Sequence, residues 1–233
     1  MKKLSIIIPV YNEKNTIIKL LDLVNKAELG EIEKEIIIID DKSTDGTTEI
    51  LKSLQERYKI FFHEKNQGKG SAVKKGFNSA TGDMLIIQDA DLEYNPEEYL
   101  EILKPIIEKR ADVVYGSRLI SNKPHRVVYF WHYLGNKVLT TFSNMLTNLT
   151  FTDMETCYKA FNRRAIDYLK TRLTANRFGI EPELTALIAK GNFNIYEVGI
   201  SYFGRTYKEG KKVGWKDGFA AIYYIIKFNL FKK

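Results

Sequence analysis

Cysteine and long apolar runs are both scarce in these 233 residues. Cys157 is the single cysteine, so no disulfide can close within the chain, and a reducing, cytoplasmic setting is expected. No run reaches the roughly 18 apolar residues that a membrane-spanning helix needs. Histidine is thin as well. His63, His125 and His132 show no metal-ligand spacing, and ordinary core or surface roles are expected of them. The short apolar opening behind Lys2 and Lys3 has the charge order of a signal peptide. It contains Pro9 and breaks into Asn12, Glu13, Lys14 and Asn15 without a small-residue cleavage site, so it reads as a first buried strand. Internal repeats, low-complexity segments and linkers are not evident.

What is present is length enough for one large α/β domain and an uneven charge. The net charge is +7. From Arg205 onward, Lys208, Lys211, Lys212, Lys216, Lys227, Lys232 and Lys233 join that arginine against only Glu209 and Asp217. Nearly all of the surplus therefore sits at this end. Tyr223, Tyr224, Ile225, Ile226, Phe228, Leu230 and Phe231 interleave with it, more apolar content than a solvated tail needs. Such a patch suits substrate phosphates, an anionic membrane surface or nucleic acid.

The first half alternates strand-like and helix-like segments. Strands are expected at residues 4–10, 35–40, 60–63, 83–88 and 112–116, and helices at 13–27, 44–58 (capped by Ser43 or Thr44), 71–79 and 96–110. This rhythm predicts a mostly parallel central sheet flanked by helices, with ligands beyond the carboxyl ends of its strands. Tyr11, Asn12 and Glu13, then Asp40 and Asp41, then Asp89, Ala90 and Asp91 all fall at those ends. In the second half, residues 127–149 form a long aromatic amphipathic stripe. Core packing and an interfacial helix on a bilayer explain it about equally well. Residues 158–170 and 181–190 look helical, 194–202 look like a strand, and 215–230 suit a helix lying on a membrane.

Asp89 and Asp91 carry the sharpest chemistry. An apolar strand ends in two carboxylates one residue apart, which would share a face if the extended backbone continued. Hard oxygen ligands at a strand end suit a divalent cation holding a diphosphate. Taken alone, such a pair is more often a solvated turn before a helix.

Six segments in order change that balance. They are residues 4–13 (LSIIIPVYNE), 39–47 (IDDKSTDGT), 66–70 (NQGKG), 80–83 (ATGD), 89–91 (DAD) and 116–118 (GSR). Together they resemble glycosyltransferase family 2, nearest to its dolichyl-phosphate mannose synthase-like branch, strongly over residues 1–120 and more thinly to about 217. The resemblance implies a GT-A fold with a nucleotide-sugar-binding half at 1–120 and an acceptor-binding half at 121–217, followed by a basic amphipathic helix at 218–233. It implies metal-dependent, inverting transfer of one sugar from a GDP- or UDP-sugar to a polyprenyl phosphate. The enzyme would sit peripherally on an anionic membrane at its cytoplasmic face, with no nucleic-acid partner.

By the same resemblance, Pro9, Tyr11, Glu13 and Ile39 line the nucleoside site, and Asp41 reads the base or ribose. Asp89, Asp91 and Glu93 hold Mg²⁺ or Mn²⁺, with Ala90 and Lys69 beside the donor. Arg118, Arg126, Arg177, Arg205 and Lys211 are cations for the diphosphate or the acceptor phosphate. Glu181 and Glu183 are acceptor-loop carboxylates. Lys42 stands where the family often has glycine, and Glu93 where the branch tends to have glutamine. The Gln-x-x-Arg-Trp signature of processive synthases is missing, which argues against polymerisation. A phosphate acceptor is already nucleophilic at neutral pH, its second pKa lying near ~6, and needs no protein base. If the acceptor were a saccharide hydroxyl, Glu181, Glu183 or Asp153 would be the base. A nucleotidyltransferase and a non-catalytic binding module are the other classes. The former lacks its glycine- and arginine-rich loop after the first strand.

Overall fold

Four consecutive isoleucines, Ile36, Ile37, Ile38 and Ile39, are all buried, as a strand covered on both faces requires. They form the centre of β2 (Glu33–Asp40), which runs parallel to β1 (Lys3–Val10) in the register Ile6 opposite Ile36 and Val10 opposite Asp40. The computed structural model describes residues 2–120, 123, 125–127, 129–206, 209 and 215–231. Five further strands complete one sheet: β3 (Lys59–Phe62), β4 (Met84–Ile87), β5 (Val113–Ser117), β6 (Lys159–Asn162) and β7 (Ile195–Gly199). Their order is β3-β2-β1-β4-β6-β5-β7. Only β6 runs antiparallel to its neighbours.

Helices cover the sheet. On α1 (Ile17–Lys26), Ile17, Leu20, Leu21 and Val24 are buried, the spacing of one helical face. On α3 (Lys69–Ser79), Gly76 lets the helix lie directly on β1. A Cβ there would come within 2.4 Å of Ile7. The others are α2 (Thr47–Lys52), α4 (Tyr99–Ile107), α5 (Phe130–Thr147), α6 (Arg163–Lys170), α7 (Ile180–Lys190) and α8 (Trp215–Ile226). A π-helical turn, Lys227–Phe231, follows α8.

Three expectations are corrected. The helix expected at 44–58 shrinks to α2, with Gly46 as its cap, because Ser43 gives its hydroxyl to Asp40 instead. The helix expected from residue 13 starts at Ile17, since Glu13 accepts backbone bonds from Thr16 and Ile17 in a preceding turn. The helix expected at 158–170 is two elements. Lys159, Ala160 and Phe161 join the sheet as β6, and Asn162 then caps α6 by accepting from the Ala165 amide at 2.9 Å.

Candidate active site

Because β6 alone is reversed, one edge of the sheet collects the carboxyl ends of six strands and the amino end of β6. This is the edge where open α/β sheets bind ligands. The polar strand ends gather here as expected. Val10 and Asp40 are directly paired, and the Asp41 amide donates to the Val10 carbonyl at 2.9 Å. Asn12, Lys42 and Leu92, next to Glu13, Asp41 and Asp91, adopt left-handed φ of 54°, 64° and 64°. Each such non-glycine conformation costs roughly 1–2 kcal/mol. The turn after Asp41 thus has the geometry for which glycine is the usual residue, and Lys42 accepts the strain.

After β4, Gln88 is locked by the Tyr99 and Tyr158 hydroxyls, which donate to its Oε1 at 2.7 and 2.6 Å. The chain then turns instead of continuing extended, so the two aspartates do not share a strand face. Asp89 meets the Lys69 ammonium at 2.8 Å, and Asp91 meets the Arg205 guanidinium at 3.1 Å. Lys69 also reaches Glu181 at 3.3 Å, and Arg205 reaches Glu13 at 3.2 Å. Glu181 is bridged in addition to Lys159, fully buried at the start of β6.

Burial raises the Asp89 carboxyl, but Lys69 outweighs it and holds the group below its ordinary value. Asp91 behaves oppositely. Burial, then the charges of Asp89 and Glu93, push it up to about 7 against the pull of Arg205. Two neighbouring half-buried carboxylates offer hard oxygen donors, which fits Mg²⁺ or Mn²⁺. Among the described residues, no three His, Cys, Asp or Glu side chains converge as a metal cage. Two carboxylates with phosphate oxygens are a common Mg²⁺ arrangement.

The remaining sequence-named residues divide. Pro9 is half-buried, Ala90 buried, and Tyr11 exposed at the edge. Ile39 lies wholly in the core. Asp41 is buried and occupied. It accepts from the Gln67 amide at 2.8 Å, the Gly68 amide at 2.6 Å and His63 Nδ1 at 2.8 Å. It therefore builds the loop before α3, with two donors on Oδ1 and one on Oδ2. Glu93 shares Arg205 with Asp91, at 3.6 Å from its Nε, and its amide donates to Asp91 Oδ1 at 3.1 Å. Its carboxylate accepts from the Tyr202 hydroxyl and the Arg205 amide, both at 2.8 Å.

Arg118 is clamped by Asp153 in a two-pronged pair at 2.6 and 2.7 Å and stacks on Tyr202. The pair uses Nε and Nη2 of Arg118 and both oxygens of Asp153, which also accepts from Asn136 at 2.8 Å. Burial pushes Asp153 up, yet Arg118 more than offsets it and keeps the carboxyl below its usual range. Arg126 makes an exposed ion pair with Glu209. Glu183 is buried and receives the Thr174 and Ala175 amides. Arg177 is exposed, packed over Gly68. Lys211 lies outside the described residues, as do Lys208, Lys212, Lys232 and Lys233 of the basic end.

Sequence reasoning missed Lys159, Tyr202, His63 and Cys157. Cys157 hangs over the end of β4, its Sγ 4.0 Å from the Ile87 carbonyl. The signal for Lys159 lay in the string Cys157-Tyr158-Lys159-Ala160-Phe161. A lysine inside an apolar run is a cation that must find a buried partner.

This sheet order, with carboxylates on one edge, is the GT-A architecture. Crystal structures of glucosyl-3-phosphoglycerate synthase from Mycobacterium tuberculosis share it. One, in complex with Mn²⁺, UDP and glucosyl-3-phosphoglycerate, aligns at a TM-score of 0.72 and 17% identity over 98% of this chain and 80% of that one. At that identity the likeness shows the fold. The family follows from the sequence: residues 5–169 match Glycosyl transferase family 2, the chain belongs to it, and it is a glycosyltransferase. UDP-N-acetylglucosamine–dolichyl-phosphate N-acetylglucosaminyltransferase of Methanococcus voltae is 28% identical, over 99% of this chain and 98% of that protein. Dolichol-phosphate mannosyltransferase of Pyrococcus furiosus is 36% identical, over 51% of this chain and 34% of that longer protein.

Proposed function

We propose that the chain transfers one sugar, with inversion, from a nucleoside-diphosphate sugar to a polyprenyl phosphate at a membrane surface. The observation that carries this is the company α7 keeps. Its first turn brings Glu181 to the Asp89–Lys69 pair, and its body packs against α5 and α8. Those two helices expose apolar side chains, Trp131 at 77% and Phe219 at 68%. Among the described residues no helix is long and apolar enough to cross a membrane. An apolar face on helices packed beside the site fits a lipid acceptor whose chain stays in the bilayer. The Methanococcus voltae relative, named for a dolichyl-phosphate acceptor and matched end to end, supports the same reading.

A divalent cation at Asp89 and Asp91 would act as a Lewis acid on the leaving nucleoside diphosphate. Lys69 and Arg205 add positive charge on either side of that pair. The hydroxyl-acceptor alternative needs a base, and the three acids named for it from the sequence, Asp153, Glu181 and Glu183, are held in ion pairs or in hydrogen bonds from backbone amides. A dianionic phosphate needs none.

Incubation with radiolabelled UDP- and GDP-sugars, Mg²⁺ or Mn²⁺ and a polyprenyl phosphate should give a chloroform-soluble sugar product. None across the panel would end the lipid reading. Asp91→Asn should abolish turnover while the protein stays folded by circular dichroism.

A further inference from the structure

Among the described residues, one acid at this edge has no partner. Asp41, Asp89, Asp91, Asp153, Glu181 and Glu197 each accept from a cation or a backbone amide. Glu155 has no hydrogen bond or ion pair among the described residues, and its Oε1 is sealed from solvent. The next residue, Thr156, also has a buried hydroxyl without a partner. Buried polar atoms are nearly always matched, and leaving one unmatched costs roughly 1–3 kcal/mol. Thr156 is fully enclosed, whereas Glu155 is only half-buried and stays open to a ligand at this edge.

The backbone around Glu155 is firmly placed. The Thr152 amide donates to Glu197 at 3.0 Å, the Met154 amide to Thr140 at 3.1 Å and the Cys157 amide to the Tyr94 hydroxyl at 3.1 Å. Asp153 is fixed by Arg118, and Cys157 lies over the end of β4. Glu155 therefore stands within range of the charges of Glu181, Lys159, Arg118 and Asp153, with its side chain half-buried. The cations nearest to it are already taken by Asp153 and Glu181.

We infer that Glu155 reads the transferred sugar, exchanging a hydrogen bond with one ring hydroxyl or amide N–H and so setting which sugar is accepted. This rests on the donor being a nucleoside-diphosphate sugar, as proposed above. The chemistry of the position selects that partner. Burial, then the neighbouring Glu181 charge, push the Glu155 carboxyl up to about 7. A phosphate beside it would add a further negative charge in a dry place. The sugar is the neutral portion of the donor, and its hydroxyls can donate to a carboxylate or accept from a carboxylic acid.

The test uses calorimetric titration of the full chain with Mg²⁺ or Mn²⁺ present. The ligands are UDP, GDP, UDP-glucose, UDP-N-acetylglucosamine and GDP-mannose, plus single-deoxy analogues of the sugar bound best. Glu155→Ala should bind the free nucleoside diphosphate within about twofold of wild type, yet bind the preferred nucleotide sugar about 10- to 100-fold more weakly. One deoxy analogue should lose nothing further in that variant. Glu155→Gln, which keeps the shape and one acceptor, should fall between. Equal losses for free nucleotide and nucleotide sugar would overturn the inference, as would an unchanged sugar preference in Glu155→Ala. Failure of the wild type to bind any nucleotide would remove the donor reading and this inference with it. Nucleotide binding with no role for Glu155 removes only the inference.

Discussion

Asp41 and Glu155 are opposite cases of one rule: a buried carboxylate is defined by what surrounds it. Asp41 sat in a family segment and was expected to read a base. In the fold it holds two loop amides and His63. Asp41→Ala should therefore lower unfolding stability by about 1–3 kcal/mol, measured in urea, since two amides lose their acceptor. A solvent-facing reader of substrate would leave stability unchanged. Glu155 was invisible in the sequence because its burial depends on where the loop before β6 runs, which local pattern does not encode. Its titration gives a second prediction. Folded, it titrates at about 7; unfolded, at about 4.3. Between those values the folded chain holds the extra proton, so this group's contribution to stability falls as pH rises and is lowest above about 7. The groups facing it, Glu181, Lys159, Arg118 and Asp153, are common to wild type and Glu155→Gln. The melting temperature of the variant should exceed that of wild type by more at about pH 8 than at about pH 5.

Elements were legible where one period ran undisturbed. The isoleucine run of β2 and the Ile17, Leu20, Leu21, Val24 face of α1 left little choice. β6 was lost because a four-residue strand abuts α6 with only Asn162 as the boundary. Charge and hydropathy read it as one helix. The stripe at 127–149 could not be assigned to core or membrane from sequence. In the fold it is α5, on which only Thr140 and Ser143 are buried. Its large apolar residues Trp131 and Met145, 75% exposed or more, face away from the core. Trp131→Glu and Phe219→Glu should each reduce co-flotation with phosphatidylglycerol vesicles. Stability should change by no more than about 0.5 kcal/mol, as for surface sites elsewhere. Transfer to a short-chain, water-dispersed polyprenyl phosphate should persist.

For the whole molecule, the βαβ rhythm of the first half was enough to anticipate the sheet and the edge at which Glu13, Asp41, Asp89 and Asp91 gather. The pairing of those groups with Lys69 and Arg205 was not readable, because Arg205 lies 114 positions from Asp91 along the chain. β6 has a further consequence for how such a protein can be taken apart. It comes from the second half of the chain yet sits between β4 and β5 of the first. A chimera that joins residues 1–120 to the remainder of another family member must receive an interior strand from a stranger. Leu85 and Val113 both pair across to Phe161, so the borrowed strand must fit two neighbours at once. Recombination at 120 should mostly yield aggregates, and exchanging the loop at 152–157 alone should yield folded protein. The unit of inheritance for sugar choice would then be a loop, not a half.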